Sequence, residues 1–206
     1  KKQVYDWDRY YRTIRRLQPD ACINVCGPDI RWCGNEAGHT RVSEWSVVPK
    51  RTTETERIAE NSQQQDDEQF RQRPIRASDQ DLGSREQLRE ESELVWYPAE
   101  VNTSIRPGWF YHPEEDDKVR SPEELIRIYT QSVGGNATFL LNVPPTPEGL
   151  IHENDQACLA KIGDFLRTAF AHNVLEGAFL QADSAEEGYG IENVREDGYD
   201  TYYRPA

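Results

Sequence analysis

Long apolar runs are missing from this 206-residue chain. No segment therefore reads as a membrane-spanning helix, which needs about 20 consecutive apolar residues. Cysteine is scarce, with four residues at positions 22, 26, 33 and 158. None sits in a CxxC pair, so neither a zinc knuckle nor a disulfide framework is indicated. Buried free thiols are the expectation for Cys22 and Cys26, which lie in an apolar segment. His39, His152 and His172 have no partners at ligand spacing, and His112 follows three aromatics and is expected to satisfy a core hydrogen bond. No metal or other cofactor is expected. Basic residues are in deficit, 24 against 37 acids, for a net charge of −13. A surface of that sign repels phosphate backbones and anionic bilayers, which argues against nucleic acid or membrane as a partner. No leader peptide is expected at the start, where Lys1-Lys2-Gln3 runs directly into Asp6-Trp7-Asp8.

The segments that are present alternate in type. Trp7, Tyr10, Tyr11, Ile14 and Leu17 recur at spacings of three and four, predicting a helix opened by Asp6 or Asp8 and stopped by Pro19. An apolar run over 21–26 predicts a strand ending at the Gly27-Pro28 turn signal. Residues 50–93 are polar, charged and poor in large apolar residues, and read as a surface excursion. Leu94 to Tyr97 predicts a strand ending at Pro98, followed by a loop carrying Glu100. Trp109 to His112 is either a short strand or core filler. Ser121-Pro122-Glu123-Glu124 is a helix start with a cap, proline at the first position and acids in the first turn. Thr138 to Val143 is a continuous apolar strand of the kind buried on both faces. Asn154 to Arg167 is a further helix, striped by Cys158, Leu159, Ile162, Phe165 and Leu166. Strand–helix alternation implies a parallel α/β domain, yet with only three or four strands where a closed barrel needs eight.

Gly27 to Gly38, GPDIRWCGNEAG, is the stretch most suited to chemistry. It follows a strand end and combines Asp29, Arg31, Trp32, Asn35 and Glu36. Loops at the C-terminal ends of barrel strands carry such mixtures, because sugar rings stack on indoles and a carboxyl must sit over the scissile bond.

Taken with Ser43-Glu44-Trp45-Ser46, SIRPGWFYH over 104–112, GGNATFLLNVPP over 134–145 and Gly149-Leu150-Ile151-His152-Glu153, this stretch closely resembles bacterial α-L-fucosidases of glycoside hydrolase family 29. The resemblance is nearer to the subfamily acting on α-1,3 and α-1,4 fucosyl linkages. It covers residues 1 to about 170. It implies an α/β fold, the C-terminal half of a (β/α)8 TIM-like barrel over residues 1–172. Residues 173–206 are then a linker and the incomplete start of a galactose-binding-like β-sandwich. It also implies hydrolysis of terminal α-L-fucose by a retaining pair of carboxylates, with fucosylated oligosaccharides or glycoprotein glycans as partners and a secreted or periplasmic location. The family's nucleophile box, Trp-Phe-Asp-Gly-like, has no counterpart here; Trp7-Asp8-Arg9 is a helix start. The chain by itself is therefore expected to be an inactive fragment. The alternative is a non-catalytic carbohydrate-binding protein with a degenerate glycosidase fold.

The resemblance assigns Glu36, in the Gly-Asn-Glu box, as acid/base. From the residues alone Glu36 reads instead as a loop carboxylate paired with Arg31 or Arg41. Glu100 is the second carboxylate candidate, read as substrate-binding or as a salt-bridge partner of Arg106, and Glu44 is the third. Trp32 and Trp109 either pack against the apolar face of a sugar or fill the core. Arg106 either donates to sugar hydroxyls or closes a buried ion pair.

Overall fold

The structure is a computed structural model, and it describes residues 5–24, 27–41, 44–53, 83–196, 198 and 200–206. The first helix, α1 (Trp7–Leu17), begins where the Asp6 carboxylate accepts from the Arg9 N–H at 3.0 Å. It has the predicted aromatic face, with Trp7 stacked on Tyr11 and edge-on to Tyr10, but none of its residues is buried. The strand expected over 21–26 does not form in its described part, residues 21–24; Val25 and Cys26 lie outside the described residues. The reason is local. The Ile23 N–H is taken by the Asp29 carboxylate at 2.7 Å and the Ala21 carbonyl by Arg15 at 2.6 Å. Asp29 and Arg15 also pair with each other. Side chains thus occupy backbone groups that a ladder would use. Cys22, expected buried, is consequently exposed, and among the described residues the buried thiols are Cys33 and Cys158.

The strands are β1 (Arg31–Trp32), β2 (Val47–Pro49), β3 (Leu94–Trp96), β4 (Ala99–Ser104) and β5 (Ala137–Asn142), and the later helices are α2 (Arg85–Leu88), α3 (Pro122–Val133) and α4 (Glu153–Ala169). Strands β1, β4 and β5 form a parallel sheet in that order, with Trp32 opposite Glu100 and Glu100 opposite Thr138. Strand β3 forms where 94–97 was expected, but it pairs antiparallel with β2 in a separate two-stranded sheet. Pro98 has no N–H to give either sheet, and the chain changes sheets there. Glu100 therefore lies inside a strand, not in the loop expected after Pro98.

Of the stretch 50–93, the described ends meet: the Lys50 N–H donates to the Glu93 carbonyl at 2.9 Å, and Arg51 pairs with Glu91 at 2.6 Å. The rest of that stretch, residues 54–82, lies outside the described residues.

Between β4 and β5 the chain crosses over through α3, giving a βαβ unit. Its start matches the sequence: the Ser121 hydroxyl accepts from the Glu124 N–H at 3.1 Å, with Pro122 at the first position. Leu125, Ile128 and Ser132 of α3 are buried, and the helix packs on β5. Strand side chains alternate between faces. Ala99 and Val101 join Cys33 and Ala137 in the central apolar cluster, with half-buried Trp32 packed against it. Strand β5, expected to be buried on both faces, is covered on one only, and Leu140 is 49% exposed. Three parallel strands among the described residues do not close a barrel.

The contacts divide the chain into two compact units, residues 1–159 and 160–206. In the second, the Glu186 N–H bonds to the Arg204 carbonyl at 3.0 Å and Tyr189 packs on Tyr202 with ring centroids 4.8 Å apart. A 3-10 turn spans Ile191–Arg195, and no strand occurs among the described residues from 170 onward.

Candidate active site

The stretches 27–38 and 98–102 run side by side. The Arg31 N–H donates to the Pro98 carbonyl at 3.0 Å, Cys33 to Glu100 at 2.9 Å and Gly38 to Asn102 at 3.2 Å. This ladder places Glu36 in the loop at the C-terminal end of β1, between two anchors on β4. The two candidate carboxylates thus lie on neighbouring segments, Glu36 in the loop after β1 and Glu100 near the start of β4. Glu36 is half-buried, with its Oε2 atom out of contact with solvent.

Gly38 closes the loop with φ +78°, a conformation that L side chains rarely adopt. A Cβ there would lie 3.0 Å from the Ile128 side chain, so the loop rests directly on α3.

Trp32 stands opposite Glu100 in the register and donates its indole N–H to the Asn102 side-chain oxygen at 3.0 Å. That bond fixes the indole plane beside the Glu100 face of β4. Glu100 itself is fully buried, and neither carboxylate oxygen has a partner of normal hydrogen-bond geometry among the described residues. Burial pushes its carboxyl above the ordinary glutamate range, while the Asn24 side chain pulls the other way less strongly. Glu100 does not pair with Arg106, which is occupied elsewhere.

A carboxyl raised in the folded state stabilises the fold fully below its unfolded value, about 4.3 for Glu, and loses that contribution as pH rises through the raised value. Glu100→Gln is therefore expected to gain stability over the parent progressively as pH rises above about 4. Urea titrations of both proteins at several pH values read this directly; a difference that is flat or shrinks with pH would show that Glu100 ionises normally.

Glu44 is not a free acid. It is buried between two guanidinium groups, with Arg31 at 2.8 Å and Arg41 at 2.9 Å, and it also accepts the Arg41 N–H at 3.1 Å. Arg31 also donates to the Tyr97 and Trp45 carbonyls at 3.1 and 2.8 Å. The spacing Arg31, Arg41, Glu44 held this brace in the sequence, but only the chain reversal between them brings the three together. Cys33 lies under the loop, and burial lifts its thiol to about 11, so it is a neutral packing group.

Arg106 and Trp109 lie beyond the C-terminal end of β4, away from the Trp32–Glu100 pairing in sequence and in ladder position. Arg106 is buried in an ion-pair network, its Nε 3.1 and 3.0 Å from the two Asp155 oxygens and a terminal nitrogen 2.8 Å from Asp116. Of its two expected roles the structure shows the ion pair. Trp109 is half-buried and its carbonyl accepts from the Asn142 amide at 3.0 Å. Residues 109–112 form no strand: Trp109 and Phe110 lie in bends, Phe110 is 78% exposed and His112 is exposed.

Asn142, expected to orient a neighbour at its strand end, donates to the Ser104 hydroxyl and the Trp109 carbonyl at 3.0 Å each. Asn102, mid-strand on β4, carried no signal of its contact with Trp32 in the sequence. No group of three or more His, Cys, Asp or Glu able to hold a metal occurs among the described residues. No described helix is long and apolar enough to cross a membrane.

A parallel βαβ sheet with a carboxylate-bearing loop after its first strand defines a mixed α/β fragment. The α-L-fucosidase family model matches residues 1–169, and the chain belongs to that family, glycoside hydrolase family 29. Alpha-L-fucosidase 1 of Arabidopsis thaliana is 35% identical over all of this chain and 37% of its own length. A Bacteroides ovatus crystal structure assigned as an α-L-fucosidase is 42% identical, with a TM-score of 0.67 over 92% of this chain and 29% of its own. A Ruminococcus gnavus family 29 fucosidase, solved with fucose, shares the fold at TM-score 0.72 over 98% of this chain and 39% of its own, at 24% identity. The chain thus spans about 37% of the length of its curated plant relative.

Proposed function

We propose that the whole protein carrying this sequence releases terminal α-L-fucose from glycans by a retaining mechanism, with Glu36 as its acid/base. The observation that carries this is the position of the Gly-Asn-Glu loop: in a chain belonging to the α-L-fucosidase family, it ends a strand of the parallel sheet beside Trp32 and buried Glu100. In such a mechanism an Asp attacks the anomeric carbon as the acid gives its proton to the departing oxygen. Water then displaces the enzyme carboxylate, giving its proton back to the same residue. The attacking Asp belongs to a Trp-Phe-Asp-Gly-like box outside these 206 residues, so this chain alone is inactive.

Trp32 offers an indole plane to the apolar face of fucose, and Glu100 contributes to sugar binding. The preferred linkages are α-1,3 and α-1,4 in branched glycans, and the protein is secreted or periplasmic where such glycans are met; the motif resemblance supports both. Proton NMR of an aryl α-L-fucoside digested by the whole protein tests the reaction. The α-anomer of fucose should appear first; first appearance of the β-anomer, or no hydrolysis, would sink the proposal. Digestion of α-1,2- against α-1,3- and α-1,4-fucosylated oligosaccharides tests the linkage.

A further inference from the structure

The loop that carries Glu36 is built around one neutral side chain. Asn35 is 7% exposed. Its Oδ1 accepts from the N–H groups of Ala37 at 3.0 Å and His39 at 3.1 Å, and its Nδ2 donates to the His39 carbonyl at 2.9 Å. The side chain immediately before Glu36 is therefore bonded to the peptide immediately after it. Glu36 is the residue enclosed between them. The two legs of the turn are then pinned to β4 through Cys33 on Glu100 and Gly38 on Asn102. Arg41 adds a bond from its guanidinium to the Cys33 carbonyl at 3.2 Å.

We infer that Asn35 is a positioning residue for the proton transfer made by Glu36, a role that rests on the acid/base reading above. A general acid works only from within hydrogen-bond reach of the departing oxygen, and a displacement of about 1 Å costs on the order of 100-fold. Alanine at 35 removes the three bonds to Ala37 and His39 and the donation of Nδ2 to Cys33 Sγ at 3.6 Å, and leaves the buried Ala37 N–H without a partner. Aspartate keeps both acceptor contacts but loses the donations to the His39 carbonyl and to Cys33 Sγ and turns a carboxylate oxygen toward that carbonyl, so its recovery is partial.

The test compares kcat/KM in the whole protein on two substrates: a fucosylated glycan, whose departing sugar needs a proton, and an aryl fucoside with a good leaving group, which hardly does. Asn35→Ala should lose about 100-fold on the glycan and less than about 10-fold on the aryl fucoside. Asn35→Asp should recover to within about 10-fold of the parent on the glycan. Should Asn35→Ala not fold, Asn35→Ser carries the same comparison. Ser121→Ala, which weakens a helix cap, is the stability control and should show no split.

Equal losses on both substrates, failure of Asn35→Asp to recover, or the same split in Ser121→Ala would overturn the inference alone, provided Glu36→Gln shows the split. Absence of the split in Glu36→Gln would overturn the acid/base reading, and the inference with it.

Discussion

Glu36→Gln in the whole protein is expected to lower turnover of a fucosylated glycan by about 10²- to 10⁴-fold, the usual worth of a positioned general acid. The amide has no proton to give the departing sugar alkoxide, and no carboxylate to activate water in the second step. On an aryl fucoside the first step should survive, because a good leaving group departs without help. A fucosyl-enzyme then accumulates as a burst. Added azide should restore turnover by attacking that intermediate as an anion that needs no base, giving fucosyl azide. Glu100→Gln is expected to raise KM instead and to show no azide effect. Azide rescue of Glu100→Gln with Glu36→Gln inert would require the two assignments to be exchanged.

The second large effect is one of stability. Arg106→Met should destabilise the fold by about 3–5 kcal/mol, because it leaves Asp155, which is fully buried, with no cation. The double variant Arg106→Met with Asp155→Leu should recover most of that loss, since replacing a buried ion pair by apolar groups of similar size is often close to neutral. Denaturant midpoints of the two variants and the parent measure both quantities. The pair ties the segment after β4 to the first turns of α4, so proteolysis near residues 107–118 should accelerate in the single variant. A single variant as stable as the parent but with a raised KM would show instead that Arg106 donates to the sugar.

Much of this was legible in the sequence. The start of α1, open between Asp6 and Asp8 and taken by Asp6, the aromatic face of that helix, and the Ser121-Pro122 start of α3 match the reading. These are local features, set by hydrogen bonds and periodicities within a few residues. The βαβ unit followed from the order of segments alone. Where the reading failed, the cause was a contact from outside the segment. The run 21–26 has strand composition, but Asp29 and Arg15 occupy its backbone groups in the described part. Leu94 to Trp96 is a strand in either setting, and nothing local could say that its partner is β2. Glu100 was expected in a loop because Pro98 is a stop signal, whereas here the proline marks a change of sheet.

The site divides in the same way. By itself the sequence determined which residues are available: a Gly-Asn-Glu turn after a tryptophan, a second glutamate following a proline, and motifs sufficient to indicate the family. The fate of each charged group was decided only by the tertiary structure. Glu44, the third carboxylate candidate, and Arg106, a candidate sugar donor, are consumed by oppositely charged partners, whereas Glu100 is buried with no such partner among the described residues. Ionisable side chains take their roles from the charges and the solvent around them. Those surroundings come from residues 13 positions away for Arg31 with Glu44 and 49 for Arg106 with Asp155. Separations of that kind carry no local periodicity, so only the folded chain reveals which carboxylates are spent on holding the sheet and which remain for chemistry.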